Sequence, residues 1–375
     1  MNIPSIIQAA KIILFKKKVP FYAYVSLTQA CNLTCSYCFA NSPKMMREKR
    51  LSPHLDTDKL KEVMDELWEL GTRWITLAGG EPMIRKDLGE LIVYAKKKGF
   101  FLQMTTNGTK KFEPFLEYIK KIDLLFISIE GPKNIHDLDR KDMQGNGSFE
   151  TIFKNIETLR KNKIPFNVVY SASLNNMFEI RRFFNECQQT YGFIPNTVIA
   201  EALSTEEKDI DGKKYPTFDN LRNFWQEVKK LKLEGYPIFM SASQMDDLIE
   251  ASSGENKIHQ TEIYYDDKKI PKKLKNYAPC AWGTYGVFFD ASGYLYPCSK
   301  LFDNKKYALN AFDVGFKKAY SHLKDDLNCK MCRGTINSAM TKAINITPQT
   351  ALYTSWQAIK FKIRQIFLKK KIYDV

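Results

Sequence analysis

The sequence predicts an α/β protein built on a parallel sheet, open or closed into a barrel, with a smaller second domain after it. Three observations carry this. From Phe21 short β-like runs alternate with amphipathic helical ones, the order that gives parallel strands joined by crossover helices. After Thr205 the alternation stops at a polar, turn-rich linker, EEKDIDGKKYPT. A chain of 375 residues also has room for about two domains.

The elements follow in order. YAYVSL (22–27) reads as a strand, and LDTDKLKEVMDELWEL (55–70) as a helix opened by an Asp or Thr cap. WITLA (74–78) is a strand, and RKDLGELIVYAKKKG (85–99) a helix ending at glycine. FLQMTTN (101–107) and LLFISIE (124–130) are strands on either side of a helix around Phe112–Lys120. A helix over 148–162, a strand over 165–173, a helix over 178–190 and a strand over 193–203 complete the alternating part. In such a sheet functional residues belong at the strand C-terminal ends. Beyond the linker LRNFWQEVKKLKLEG reads as a helix, and GVFFDASGYLYPC as a β-hairpin turning at Ala291-Ser292-Gly293. The expected divisions are a basic amphipathic helix over 1–19, the barrel-like unit over 20–235, a smaller domain over 236–340, and a second basic amphipathic helix over 341–375.

Composition excludes several classes. The charged and apolar fractions are those of an ordered globular chain. No run of about 18 or more apolar residues is present to span a membrane as a helix. The N-terminal IPSIIQAAKIILFKKKVPF is not read as a secretory leader: Lys11 interrupts it, and Lys16–Lys18 follow rather than precede it. The expected location is cytoplasmic, where clustered cysteines indicate metal or redox chemistry rather than disulfides. The net charge of +15 gathers at 16–18, 272–273 and 369–371. None of these runs carries a nucleic-acid-reading motif, which leaves solvated charge or an anionic membrane surface.

Three of the eight cysteines stand in CNLTCSYC, a C-x3-C-x2-C run directly after the first strand. Structural zinc takes four ligands, usually as two pairs. Three close thiolates better suit a 4Fe–4S cluster with one iron open to a non-protein ligand; zinc with a distant fourth cysteine is the alternative.

Here the sequence resembles the radical S-adenosylmethionine (SAM) enzymes. Cys31, Cys35 and Cys38 match the cluster ligands, with the aromatic Tyr37 before the last of them. LAGGEP (77–82) resembles the glycine-rich strand end whose backbone meets the methionyl amino group, through Gly79 and Gly80 with Glu81 as an acceptor nearby. TTNG (105–108), with Asn107, and FISIEG (126–131) match the next strand ends, Ser128 standing where a serine contacts ribose. HDLDRKDMQGNGSF (136–149) resembles the HDxxR…GSF segment, in which Arg140 would meet the SAM carboxylate. The resemblance covers about residues 20–200. It implies a partial (β/α)6 TIM-like barrel, SAM as cofactor and a flavodoxin- or ferredoxin-type electron donor.

Cys280, Cys298, Cys329 and Cys332 form a second set. On chemistry alone they could hold zinc or an iron–sulfur cluster. Beside a radical SAM core they resemble the twitch domain, the short form of the SPASM module, which implies an auxiliary 4Fe–4S cluster with four cysteine ligands. The sulfatase-maturing members have an aspartate after the hairpin cysteine; Ser299 stands here, which argues against that activity. Cys187 reads as a small buried hydrophobe with no role.

Both ends pair apolar faces with lysines: Ile3, Ile6, Ile7, Ala10, Ile13 and Leu14 at one, Leu352, Trp356, Ile359, Ile363 and Ile366 at the other. Such helices either lie in a membrane interface or pack on the barrel. The expected activity is reductive SAM cleavage to a 5′-deoxyadenosyl radical and hydrogen abstraction from a lipid or other hydrophobic metabolite, with the enzyme peripheral at the inner face of the membrane. The alternatives are maturation of a ribosomally made peptide and oxidation of a small-metabolite alcohol. The thirty residues before Cys31 are few for a peptide-recognition domain. A zinc-stabilised binding protein would require every SAM motif to be coincidence.

Overall fold

The computed structural model describes residues 3–15, 17–38, 55–201, 216–253, 263–264, 280–325 and 331–332. Helix α1 (Ile3–Phe15) precedes β1 (Tyr22–Thr28). The alternating part then runs α2 (Thr57–Leu70), β2 (Trp74–Gly79), α3 (Leu88–Lys98), β3 (Phe101–Thr106), α4 (Leu116–Ile119), β4 (Leu124–Ser128), α5 (Lys133–Asp139), α6 (Phe149–Lys161), β5 (Asn167–Ala172), α7 (Ile180–Tyr191) and β6 (Thr197–Glu201). After it come α8 (Phe218–Glu234), α9 (Ala242–Glu250), β7 (Ile263–Tyr264), β8 (Gly286–Phe289), β9 (Tyr294–Tyr296), β10 (Leu309–Asn310), α10 (Ala311–Val314), α11 (Phe316–Asp325) and β11 (Met331–Cys332).

The expected α/β order is present. Strands β1 to β6 lie side by side in chain order and all parallel, as crossover helices require. The helix ends follow local chemistry. Asp56 caps α2 by accepting from Lys59 N at 2.8 Å. Gly71 and Gly99 close α2 and α3 in the left-handed conformation. The helix expected around 112–120 is a 3-10 turn over Glu113–Phe115 and the single turn α4. Helix α8 starts three residues earlier than expected, because Thr217 and Asn220 form a capping box.

The core lies between sheet and helices. Ala23, Val25 and Leu27 of β1 turn toward it with Leu60, Val63 and Leu67 of α2 and Leu91, Ile92 and Ala95 of α3. The other face of β1 carries Tyr22 and Tyr24. Tyr22 meets Trp74 and Trp282 edge-on at 5.8 and 5.6 Å, and Trp74 meets Phe101 at 5.0 Å. These rings sit at the strand-start end, and the polar residues Ser26, Thr28, Ser128 and Glu130 lie toward the opposite rim.

The second domain expected from 236 is joined to the first. Thr197 N donates to Pro237 O at 2.8 Å and Phe239 N to Thr197 O at 3.0 Å, so residues 237–239 lie along β6. The expected hairpin forms as β8–β9, and β8 pairs parallel with β1. Among the described residues this makes one nine-stranded sheet, β10-β9-β8-β1-β2-β3-β4-β5-β6. The basic C-terminal helix expected over 341–375 lies outside the described residues.

Trp225 Nε1 of α8 donates to Glu201 Oε1 at 2.6 Å, both side chains buried at the end of β6. Trp225→Phe should therefore lower the unfolding free energy by about 1–3 kcal/mol, read as a lower urea midpoint at unchanged m-value. A change within error would mean that water replaces the indole donor.

Candidate active site

Every strand of the barrel unit ends at one rim, and the sequence motifs gather there. Residues 28–30 leave β1 and pass directly over the end of β2. Gly80 N donates to Thr28 O at 2.7 Å and Glu81 N to Ala30 O at 2.9 Å, so the two segments pair by their backbones. A Cβ on Gly80 would stand 2.0 Å from Ala30 O, and one on Gly79, at φ +132°, 2.4 Å from Thr28 O. The two glycines are thus required for the chain to reach Cys31 at all.

Glu81 is fully buried and accepts three hydrogen bonds, from Met83 N at 2.9 Å, Thr106 Oγ1 at 2.7 Å and Asn107 N at 2.7 Å. Burial pushes its carboxyl above the ordinary range and those donors pull against it. A ligand amine would be a fourth donor, so the first work of Glu81 is to tie the end of β2 to that of β3. Asn107 carries the tie onward: its Nδ2 donates to Asn32 Oδ1 at 2.9 Å and lies 3.9 Å from Cys31 Sγ. Asn32 Nδ2 in turn donates to Thr109 Oγ1 at 2.8 Å.

The cysteine loop is held from its other side by the segment after α5. Thr34 N donates to Lys141 O at 2.8 Å and Ser36 N to Asp139 O at 3.1 Å. Asp139, itself buried, accepts from Ser36 Oγ at 2.6 Å, Ser173 Oγ at 3.0 Å and Asn175 Nδ2 at 2.9 Å. Arg140 Nε donates both to Tyr37 OH at 3.0 Å and to Glu130 Oε2. Burial works against the Arg140 charge, but Glu130, through its charge and its hydrogen bond, together with Tyr37 and Cys35 outweighs it and holds the guanidinium cationic. Its terminal nitrogens make no hydrogen bond among the described residues.

His136 explains the rest of that motif. Glu130 N donates to Nδ1 at 3.1 Å, so the ring proton sits on Nε2 and points to Ser148 Oγ at 3.0 Å. Ser148 Oγ donates to Arg140 O at 2.9 Å, and Asp137 accepts from Phe149 N at 2.9 Å at the start of α6. A Cβ on Gly147 would stand 2.1 Å from the Asp137 carboxylate, which is why glycine precedes the serine. His136 is a positioning residue, neutral because burial and then the nearby Arg140 hold its pKa well below the usual value.

Cys31, Cys35 and Cys38 are half-buried. Burial pushes the Cys31 thiol up to about 11 and Cys35 up to about 12, so both stay protonated at neutral pH until a metal cation binds them. Among the described residues no three side chains converge on a single-ion site. A cluster fits better than a bare ion, since a cubane spaces its cysteine sulfurs more widely than one ion with bonds of about 2.3 Å. Ser128 is buried at the end of β4, and its hydroxyl makes no hydrogen bond among the described residues. In the second set Cys280 and Cys298 are half-buried on either side of the β8–β9 hairpin, and Cys332 stands on β11, paired with Ile263. Cys329 lies outside the described residues. Cys187 is buried on α7, as expected of a packing residue.

The profile of the Radical SAM superfamily matches residues 25–176. Those residues are a radical SAM domain. The chain is 28% identical over 172 residues to the Fe-coproporphyrin III synthase of Methanosarcina barkeri, 45% of this chain and 41% of that protein. It is 27% identical over 330 residues to the cysteine-type anaerobic sulfatase-maturating enzyme of Clostridium novyi, covering 83% and 79%. It is 30% identical over 179 residues to the sporulation killing factor maturation protein SkfB of Bacillus subtilis, covering 47% and 42%. The match thus spans less than half the length of two of these relatives. In fold it resembles native anSMEcpe with bound AdoMet, at TM-score 0.59 and 19% identity over 82% of this chain and 81% of that one. Streptococcus suis SuiB bound to S-adenosylmethionine gives TM-score 0.60 and 14% identity over 88% and 70%. The radical SAM domain takes SAM and a 4Fe–4S cluster as its cofactors.

Two outcomes test this geometry. Gly80→Ala should cost at least about 2 kcal/mol and strip iron from the anaerobically reconstituted protein, because only backbone surrounds the added methyl. The depressed pKa of His136 makes its contribution to stability complete above about pH 6.5 and lost as pH falls, at up to about 1.4 kcal/mol per unit. Urea melts between pH 7.5 and 5 should show that acid limb, flattened in His136→Asn.

Proposed function

We propose that this chain is a SAM-cleaving enzyme whose rim, at the ends of β1 to β5, holds cluster, cofactor and substrate together. Cys31, Cys35 and Cys38 would bind the 4Fe–4S cluster, which when loaded supplies the electron that splits SAM into methionine and a 5′-deoxyadenosyl radical able to take hydrogen from a substrate carbon. Arg140 would receive the SAM carboxylate, oriented by Glu130 and Tyr37. The Gly79–Gly80 backbone lies beside the loop for the methionyl amine, and Ser128 offers its hydroxyl to the ribose. The observation that carries this reading is the single clasp, Glu130–Arg140–Tyr37 with Asp139–Ser36, which fixes the three-cysteine loop beside a guanidinium with unused donors.

Cys280, Cys298, Cys329 and Cys332 would hold an auxiliary 4Fe–4S cluster, fed or drained by a flavodoxin- or ferredoxin-type donor. Of the substrate classes we favour a peptide over a lipid. Helix α1, on which a lipid substrate partly rests, packs at the strand-start end and does not bring a bilayer to the rim. Two relatives are by name maturation enzymes, SkfB and the sulfatase-maturating enzyme. Ser299 in place of the aspartate still argues against a sulfatase as the target.

Reconstituted, reduced protein should carry about eight irons for two clusters and form 5′-deoxyadenosine. Cys35→Ala should abolish that product, and Ser128→Ala should raise the KM for SAM several-fold, about 1 kcal/mol. Stimulation by membrane-lipid extract but not by peptides would return the lipid substrate to first place. Intact clusters with no 5′-deoxyadenosine would overturn the enzyme reading.

A further inference from the structure

Helix α1 wears its amphipathic pattern inside out. At about 100° per residue, Ser5, Gln8 and Ile12 occupy one arc of about 60° and are buried against the body. Ile3, Ile6, Ile7, Ala10, Ile13 and Leu14 fill the opposite arc and face outward. Ile3 and Leu14 are 73% and 72% exposed, and Phe15 beyond them 76%. A helix that only packs on a globular core turns the other way.

Its attachment is local and joins the buried Ile12 to two polar contacts. Ser5 Oγ donates to Arg73 O at 3.3 Å, and Gln8 lies over Gly71, where a Cβ would come within 2.9 Å of its Nε2. Both contacts are in the turn between α2 and β2. The helix is therefore seated on the body with its apolar stripe exposed among the described residues.

Charge identifies what covers the stripe. Lys11, Lys17 and Lys18 are exposed along and after it, and no Asp or Glu occurs before Glu48. A second copy on this face would bring two lysine rims together. The chain's own residues 341–375 are a poor cover for the same reason, with seven Lys or Arg and one Asp. A surface both apolar and anionic satisfies stripe and rim at once.

We propose that α1 docks the protein on an anionic lipid bilayer, its apolar stripe in the headgroup–acyl boundary and Lys11, Lys17 and Lys18 against acidic headgroups. Since α1 sits where β2 begins, the catalytic rim lies about 20 Å away across the seven-residue β1. The docked enzyme faces the aqueous phase.

The test is flotation of the full chain with phosphatidylcholine vesicles, with and without phosphatidylglycerol. Two variants go beside it, Ile7→Glu with Leu14→Glu, and Lys11→Glu with Lys17→Glu and Lys18→Glu. Wild type should float only with the anionic vesicles, and each variant should lower the bound fraction at least tenfold at an unchanged melting temperature. Absence of wild-type flotation would overturn the proposal. So would variants that float like wild type, which would move binding to residues 341–375. A lipid-free dimer that Ile7→Glu with Leu14→Glu converts to monomer would assign the stripe to a second copy.

Discussion

No Cβ fits between residues 28–30 and the backbone of Gly79 and Gly80, and the geometry of the whole rim depends on that contact. It brings the end of β1 across the end of β2, so the loop to Cys31 starts from a fixed point. Glu81, held by the same pairing, reaches across to Thr106 and Asn107 at the end of β3. Asn107 returns to Asn32 inside the cysteine loop. The bonds make a closed circuit, from loop to β2 to β3 and back to the loop. A buried carboxylate with three donors is costly to open, because each lost partner leaves a desolvated group unsatisfied.

A second circuit closes on the loop from the other side. Asp139 takes Ser36, Ser173 and Asn175, while Arg140 takes Tyr37 and Glu130. Behind them the neutral His136 relays between Glu130 N and Ser148, which holds Arg140 O. The division of labour is plain in the chemistry. Groups whose hydrogen bonds are made within the protein, such as Glu81, Asp139 and His136, build the frame. The Arg140 terminal nitrogens and the Ser128 hydroxyl make no hydrogen bond among the described residues, and in the proposed function these two groups meet the ligand.

The fold was legible because its signals are local. Alternating runs of apolar periodicity mark β1 to β6 and their helices, and glycines after α2 and α3 mark true helix ends. What escaped was pairing between distant segments. Nothing in GVFF announces that β8 will join β1 in parallel, or in PIFM (237–240) that residues 237–239 will line β6. The site divides the same way. Cys31, Cys35, Cys38, Gly79, Gly80, Ser128 and Arg140 stand in motifs of recognisable spacing. Glu130 and Asp139 lie inside the same quoted motifs, yet their roles depend on Arg140 and Ser36, which only the folded chain brings to them. Sequence alone does not show that Glu81 also takes three donors from within the protein.

Helix α1 shows the limit of pattern in another form. Its periodicity is equally that of a core-packing helix and of a membrane-lying one, since both need one apolar face. Orientation separates them. Ser5 and Gln8 can anchor α1 only because the α2–β2 turn offers Arg73 O and the bare backbone of Gly71 to polar groups. An apolar face pressed there would have left that carbonyl without its donor. The same turn also fixes where the stripe points relative to the chemistry, since β2 begins beside it and runs away toward Gly79. Whatever covers α1 is thereby kept at the far end of the strands from the three cysteines, and a substrate can enter the rim while α1 is occupied.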